Sequence, residues 1–209
     1  NVWYYNVELA KEAVRDMGFN EIQFDYVRFP ENAYNLSVAG ADFKNKYDEE
    51  KAEAVQNFLF YATDQIHKEG VYLSVDVFGE CSSEYVTAYG QYWPAISNIV
   101  DVVSSMPYTD HFGRNVDTWT NAYQTVNNWA KGASERQKEI PTPAIARTWI
   151  TAYDTPYWNP KVVYGASKIE EQVKALYDAG LDGGFITWNS ASSLAKYEQI
   201  KSAFAKNYE

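Results

Sequence analysis

The run Gly18-Phe19-Asn20-Glu21-Ile22-Gln23-Phe24-Asp25-Tyr26-Val27-Arg28-Phe29-Pro30 constrains this chain more than any other stretch. Apolar Ile22, Phe24 and Tyr26 alternate with Gln23, Asp25 and Val27, which is the period of a strand over Ile22 to Arg28. Pro30 lacks the N–H a central ladder needs and stops the run. Ahead of it, Val7, Leu9, Ala10, Ala13, Val14 and Met17 form one helical stripe over Tyr5 to Met17, and Gly18 is a fitting stop. The residues from Asn1 to Asn6 read as the approach to that helix. Charge thus gathers at the far end of a strand that follows a helix, where α/β barrels keep their chemistry.

The same order recurs along the chain. A long polar loop, Glu31 to Asp48, suggests a functional excursion. It leads to a helix over Glu49 to Lys68 and a strand over Val71 to Phe78. A strand over Ile99 to Met106 is closed by Pro107, and a helix over Asp117 to Ala133 has Asp117 or Thr118 as its cap. A fourth strand spans Ala144 to Ile150, followed by an aromatic loop from Thr151 to Ala166. Ser167 caps a helix to Ala179. Gly183 to Trp188 is the fifth strand, and Leu194 to Tyr208 the closing helix. Alternating helix and strand signals right-handed βαβ units and a parallel sheet.

No linker or repeat divides the 209 residues, so one domain is expected. A closed (β/α)8 barrel of the TIM type needs eight strands and roughly 250 residues. Five strands therefore read as the last five β/α units of such a barrel, with the chain beginning inside a longer protein. An open doubly wound sheet is the alternative, but it would carry a Gly-rich phosphate turn after an early strand.

Composition narrows the function. A formal charge of −10, with only 18 Lys and Arg, argues against nucleic acid, whose phosphates need a basic face. No apolar stretch is long enough to span a membrane. Two His and one Cys without HxH or HExxH spacing give no metal site, and no cofactor motif is seen. The 18 Tyr, 7 Trp and 10 Phe are a heavy aromatic load. Flat rings with one polar atom suit stacking on sugars, although plain core packing explains most single aromatics.

Strand parity then selects candidates. Gln23, Asp25 and Val27 share a face, as do Tyr72, Ser74, Asp76 and Phe78, and these faces should turn inward. Arg28 points the other way and braces loops or meets ligand. Beyond the third strand stand Tyr108, Asp110 and His111. The fourth supplies Arg147 and Trp149, and the fifth ends in Trp188 and Asn189. Asp25 and Asp76 are the leading carboxylates, with Asp110 or Glu80 as substitute partners. Paired carboxylates whose surroundings differ can divide acid and base or nucleophile roles, as glycoside hydrolysis requires. Separations of roughly 5–5.5 Å favour retention and roughly 6.5–9.5 Å inversion. Tyr26, Tyr108, Trp149 and Trp188 are stacking candidates; Arg28, His111, Arg147 and Asn189 are polar contacts. His67 reads as a solvated surface residue. Cys81 reads as a small buried hydrophobe and not as a nucleophile.

The Gly18–Pro30 run also resembles the signature of a bacterial family of glycoside-hydrolase-like barrel domains. Asp76-Val77-Phe78-Gly79, Ser105-Met106-Pro107-Tyr108, Gly184-Phe185-Ile186-Thr187-Trp188-Asn189 and the Trp3-Tyr4-Tyr5-Asn6 entry match in order, across nearly the whole chain. Thr148 stands where that family usually has proline. The resemblance implies a TIM-type barrel whose earlier strands lie upstream, with the first strand here as the barrel's fourth. It implies glycan chemistry at or outside the cell envelope, and it carries Asp25 and Asp76 over as the acidic positions. A carbohydrate is the expected partner, and upstream strands or a partner chain should cover the open sheet edges. The alternatives are a non-catalytic carbohydrate-binding barrel and a structural domain.

Overall fold

A computed structural model describes residues 2–113, 115–154 and 157–208. The chain resolves into two compact units, residues 1–104 with 136–145, and residues 105–135 with 146–209.

The first unit opens with α1 (Val2–Met17), which runs straight into the described start of the chain; Asn1 lies outside the described residues. Val7, Ala10 and Lys11 are its buried positions. Lys11 tolerates burial because its Nζ donates to Glu8 Oε1 and Gln65 Oε1, both at 2.8 Å. Gly18, at φ +75°, closes the helix in the left-handed region that a Cβ disfavours. β1 (Glu21–Phe24) follows. The helix α2 (Ala33–Val38) interrupts what the sequence reads as one long loop. α3 (Lys51–His67) begins with a capping box between Glu50 and Glu53. Its buried Val55, Leu59, Ala62 and Ile66 recur at helical spacing and form the stripe expected of a helix covering a sheet.

β2 (Tyr72–Phe78) is buried through its middle, as a strand covered on both faces must be. It pairs in parallel with β1, from Glu21↔Tyr72 to Phe24↔Val75. β3 (Val102–Met106) and β4 (Ile145–Ala146) complete the order β1-β2-β3-β4, leaving β1 at the edge. Phe24 meets Phe58 edge-on at 5.5 Å, so the apolar face of β1 packs on α3 as its parity requires. Between β2 and β3, α4 (Trp93–Ser97) buries Trp93 completely. Gln137 ties this part together, accepting from Trp93 Nε1 (2.9 Å) and Ser97 Oγ (2.7 Å) while donating to the Ala144 carbonyl (2.7 Å).

In the second unit the short α5 (Asp117–Thr120) precedes α6 (Ala122–Lys138), whose last residues belong to the first unit. The helix expected from Asp117 is therefore broken at Asn121, and Val116 holds the cap position assigned from sequence to Asp117 or Thr118. β5 (Thr148–Thr151) pairs in parallel with β6 (Phe185–Trp188), Thr148↔Phe185 through Thr151↔Trp188. α7 (Ala166–Asp178) is docked on β5 by Gln172, whose fully buried amide exchanges bonds of 3.0 and 2.9 Å with the Thr151 N–H and carbonyl. Its N-cap is Gly165, not Ser167. α8 (Leu194–Ile200) tightens into a 3₁₀ turn over Lys201–Ala205, so the closing helix is shorter than its pattern suggests.

Two strands also depart from the sequence reading. The fourth divides at Arg147 into β4 and β5, which sit in different sheets. The first ends at Phe24, four residues early, because Tyr26 adopts φ +57° and turns the chain out of the ladder. The β1–β2 and β5–β6 pairs are nonetheless both parallel, and the class is α/β. No helix among the described residues is long and apolar enough to cross a membrane.

Candidate active site

The candidate residues divide between the two units. In the first, Asp25 stands just past β1, exposed, with Oδ1 accepting the Tyr26 N–H at 2.7 Å. Asp25 follows Phe24, whose ladder partner Val75 precedes Asp76 in the neighbouring strand. Neighbouring strands run roughly 4.8 Å apart, so the two acids arise from adjacent backbones. Asp76 is only 6% exposed, and Gln23 Nε2 donates to its Oδ1. Gln23 and Asp76 thus share a face, as parity predicts. For Asp25 the alternation no longer governs, since the chain turns at Tyr26. Its side borders a cavity of about 480 Å3 that it shares with Trp3, Arg28, Phe29, Phe43 and Phe58.

Tyr26 is 72% exposed, an open ring held in left-handed backbone. Such strain collects at ligand-binding positions. The Arg28 guanidinium lies 5.1 Å from the Tyr26 ring centre and 4.6 Å from that of Phe78. Arg28 also donates to the Phe29 carbonyl at 3.3 Å, so it braces the turn. Glu80, in the 3₁₀ turn Gly79–Ser82, accepts from Tyr85 Oη (2.7 Å) on one carboxylate oxygen and Tyr89 Oη (2.9 Å) on the other. Burial, then the bond to Glu80, holds the Tyr89 phenol protonated far above its ordinary range. Glu80 is therefore engaged as an acceptor at both oxygens.

Cys81 is fully buried beside it. Burial pushes its thiol up strongly, and the Glu80 charge adds to this. The native protein is expected to resist iodoacetamide at pH 8 and to react only once urea unfolds it. Fast labelling without denaturant, followed by mass spectrometry, would show that the Gly79–Ser82 turn opens.

In the second unit Asp110 accepts from Tyr153 Oη at 2.5 Å, and His111 Nε2 lies 3.9 Å from the same oxygen. Burial, then that bond to Asp110, keeps Tyr153 protonated far above the usual phenol range. Tyr108 is buried, edge-on to His111 (5.3 Å) and Tyr153 (6.1 Å), and so is packed among rings instead of being an open platform. Thr109 Oγ1 bonds Tyr164 Oη at 2.7 Å beneath it. Trp149 and Trp188 meet edge-to-face at 6.0 Å, and Trp188 is 42% exposed. Arg147 passes Gly184, whose φ of +97° needs glycine. Asn189 Nδ2 donates to the Ser193 carbonyl at 3.4 Å. His67 is exposed, as its sequence reading expects, and is also bonded at 2.8 Å to Asp101, which accepts the Leu73 N–H.

Gln23 was legible on the inward face of β1 but was not assigned a role. Tyr85, Tyr89, Gln91 and Tyr153 were missed: Tyr85 and Tyr89 lie 5 and 9 residues from Glu80, while Gln91 and Tyr153 reach Val27 and Asp110 across 64 and 43 residues.

The described strand pairs are parallel and the class is α/β, with Asp76 within β2 and Asp25 just past β1. The chain belongs to the family described as "Putative glycosyl hydrolase domain", whose model matches residues 1–194. No curated protein matches the sequence. Among solved structures, a class V chitinase from Pseudomonas fluorescens Pf-5 is 13% identical with a TM-score of 0.64, over 97% of this chain and 72% of that one. A chitinase from Chromobacterium violaceum is 14% identical with a TM-score of 0.58, over 96% and 71%. The spore cortex-lytic enzyme SleL of Bacillus megaterium is 13% identical with a TM-score of 0.62, over 97% of this chain and 53% of that one. The chain thus spans about half the length of that enzyme. At these identities the likeness is one of fold.

Proposed function

We propose that this chain carries the reacting pair of a glycosidase that cleaves a polysaccharide or cell-envelope glycan, with Asp25 and Asp76 as the two carboxylates. The observation that carries the reading is the parallel β1–β2 pairing, in which Asp25 and Asp76 each directly follow the last paired residues, Phe24 and Val75. Acids at strand exits can act on one bond from two sides. The open Tyr26 ring and the aromatic cavity beside Asp25 supply faces on which sugar can stack. His111, Arg147, Trp188 and Asn189, in the second unit, are separate candidates for glycan contact. Family membership supports hydrolysis, and the neighbours named as chitinases and a cortex-lytic enzyme make chitin and spore-cortex peptidoglycan the first substrates to try.

The barrel reading extends this. β1 is an edge strand whose residues are all half-buried, while β2 beside it is covered. Further β/α units or a partner chain would cover that edge and complete an eight-stranded ring. Action outside the cell or at its envelope is part of the same proposal.

A non-catalytic glycan-binding role is the second reading, favoured by how fully Glu80 and Asp110 are occupied by phenols. The two are separated by incubating the chain, and in parallel the full gene product, with chitin and cortex peptidoglycan. New reducing ends are the expected result. Retention on these glycans with no reducing ends released by either protein would overturn the hydrolase and favour the binder.

A further inference from the structure

A glutamine is buried where the β1–β2 ladder gives out. Gln91 is 1% exposed. Beyond Phe24 the first strand leaves its partner, yet β2 runs on through Asp76 and Val77 to Phe78. The Gln91 side chain bonds the backbone there. Its Oε1 accepts the Phe78 N–H at 2.9 Å, and its Nε2 reaches the Val27 carbonyl at 3.3 Å and the Asp76 carbonyl at 3.4 Å. One amide thus joins the segment after Asp25 to the residue Asp76 itself.

The turn that presents Gln91 is built tightly. Thr87 Oγ1 donates to the Gln91 carbonyl at 2.7 Å and accepts the Gln91 N–H at 2.9 Å. Gly90 lies at φ +88°, with space for no side chain: a Cβ there would stand 2.8 Å from the Lys51 carbonyl oxygen. The same turn accepts the Phe29 N–H on the Tyr89 carbonyl at 2.8 Å. The Asp25–Arg28 segment, with its left-handed Tyr26, is therefore held to residues 89–91 at Val27 and again at Phe29.

We infer that Gln91 is a positioning residue that sets the spacing of Asp25 and Asp76, taking over as a side chain where the strand ladder stops. This rests on the reading of those two acids as the reacting pair. Gln91→Met keeps the volume and removes the amide; Thr87→Val leaves the amide but frees the turn that aims it. Both are compared with the wild type by reducing-end release from chitin hexasaccharide, alongside crystal structures of all three proteins. A displacement on the order of 1 Å in the carboxyl separation is expected, with kcat down about 100-fold and KM nearly unchanged. A merely structural role would lower the folded fraction and leave the kcat and KM of the folded enzyme intact. An unchanged separation in whichever variant folds, with unchanged kcat, would overturn the inference. If the wild type releases no reducing ends, that counts against the glycosidase reading, and the carboxyl separation then decides the role of Gln91 alone.

Discussion

Asp25→Asn and Asp76→Asn are each expected to lower the rate of glycan cleavage by about 10²- to 10⁴-fold, the range over which a positioned acid or base acts. Asparagine keeps the shape and can still accept at Oδ1, so Tyr26 and Gln23 need not move far. What is lost is the ability to give or take a proton, or to attack carbon. The double variant should fall little below the worse single one, because residues that act as a unit are not additive. Reducing-end assays on a substrate the wild type cleaves would measure this, with circular dichroism as a control for folding. Wild-type rates in both variants would remove the pair. The carboxyl separation in a sugar-bound crystal would then assign stereochemistry: roughly 5–5.5 Å means retention, and roughly 6.5–9.5 Å inversion.

The second large effect lies in the core. Trp93 is fully buried, and its indole N–H donates to Gln137. Trp93→Ala leaves a cavity under α4 and one fewer bond on an amide that also serves Ser97 and the Ala144 carbonyl. Such truncations cost about 3–5 kcal/mol, and Tm should fall on the order of 10 °C for a chain of this length. Thermal unfolding by calorimetry or circular dichroism checks it. Trp93→Phe should recover more than half of the loss, since most of the area is restored. Equal Tm values for Trp93→Ala and wild type would show that this packing does not limit stability.

The elements were read from periodicity with fair success, and the failures share a cause. The stripe Val55, Leu59, Ala62, Ile66 announces α3, and the apolar run of β2 announces a covered strand. The end of β1 was not legible, because nothing in Asp25-Tyr26-Val27-Arg28 says that Tyr26 will take φ +57°. The residues just past Tyr26, Val27 and Phe29, are bonded by Gln91 and Tyr89, which lie far along the chain. The break at Arg147 is alike: its apolar neighbours read as one strand, while pairing partners in two different sheets divide it.

The site shows the same divide. Parity correctly set Asp76 with Gln23, because both lie within regular strands. It could not aim Asp25, which lies outside one. Glu80 and Asp110 were singled out as acids, but their phenol partners come from Tyr85, Tyr89 and Tyr153, up to 43 residues away. The Tyr153 contact, made across 43 residues, leaves no trace in spacing.

The turn at residues 87–91 has one more consequence. It meets the backbone on both sides of the stretch between Pro30 and Glu50, holding Phe29 before it and abutting Lys51 after it. That stretch begins and ends on a fixed mount. Lengthening a segment between fixed ends costs little, about 0.6 kcal/mol per doubling. The acids can therefore stay put while the insert is rewritten, which makes residues 31–50 the natural graft point for engineering new glycan preferences onto this scaffold.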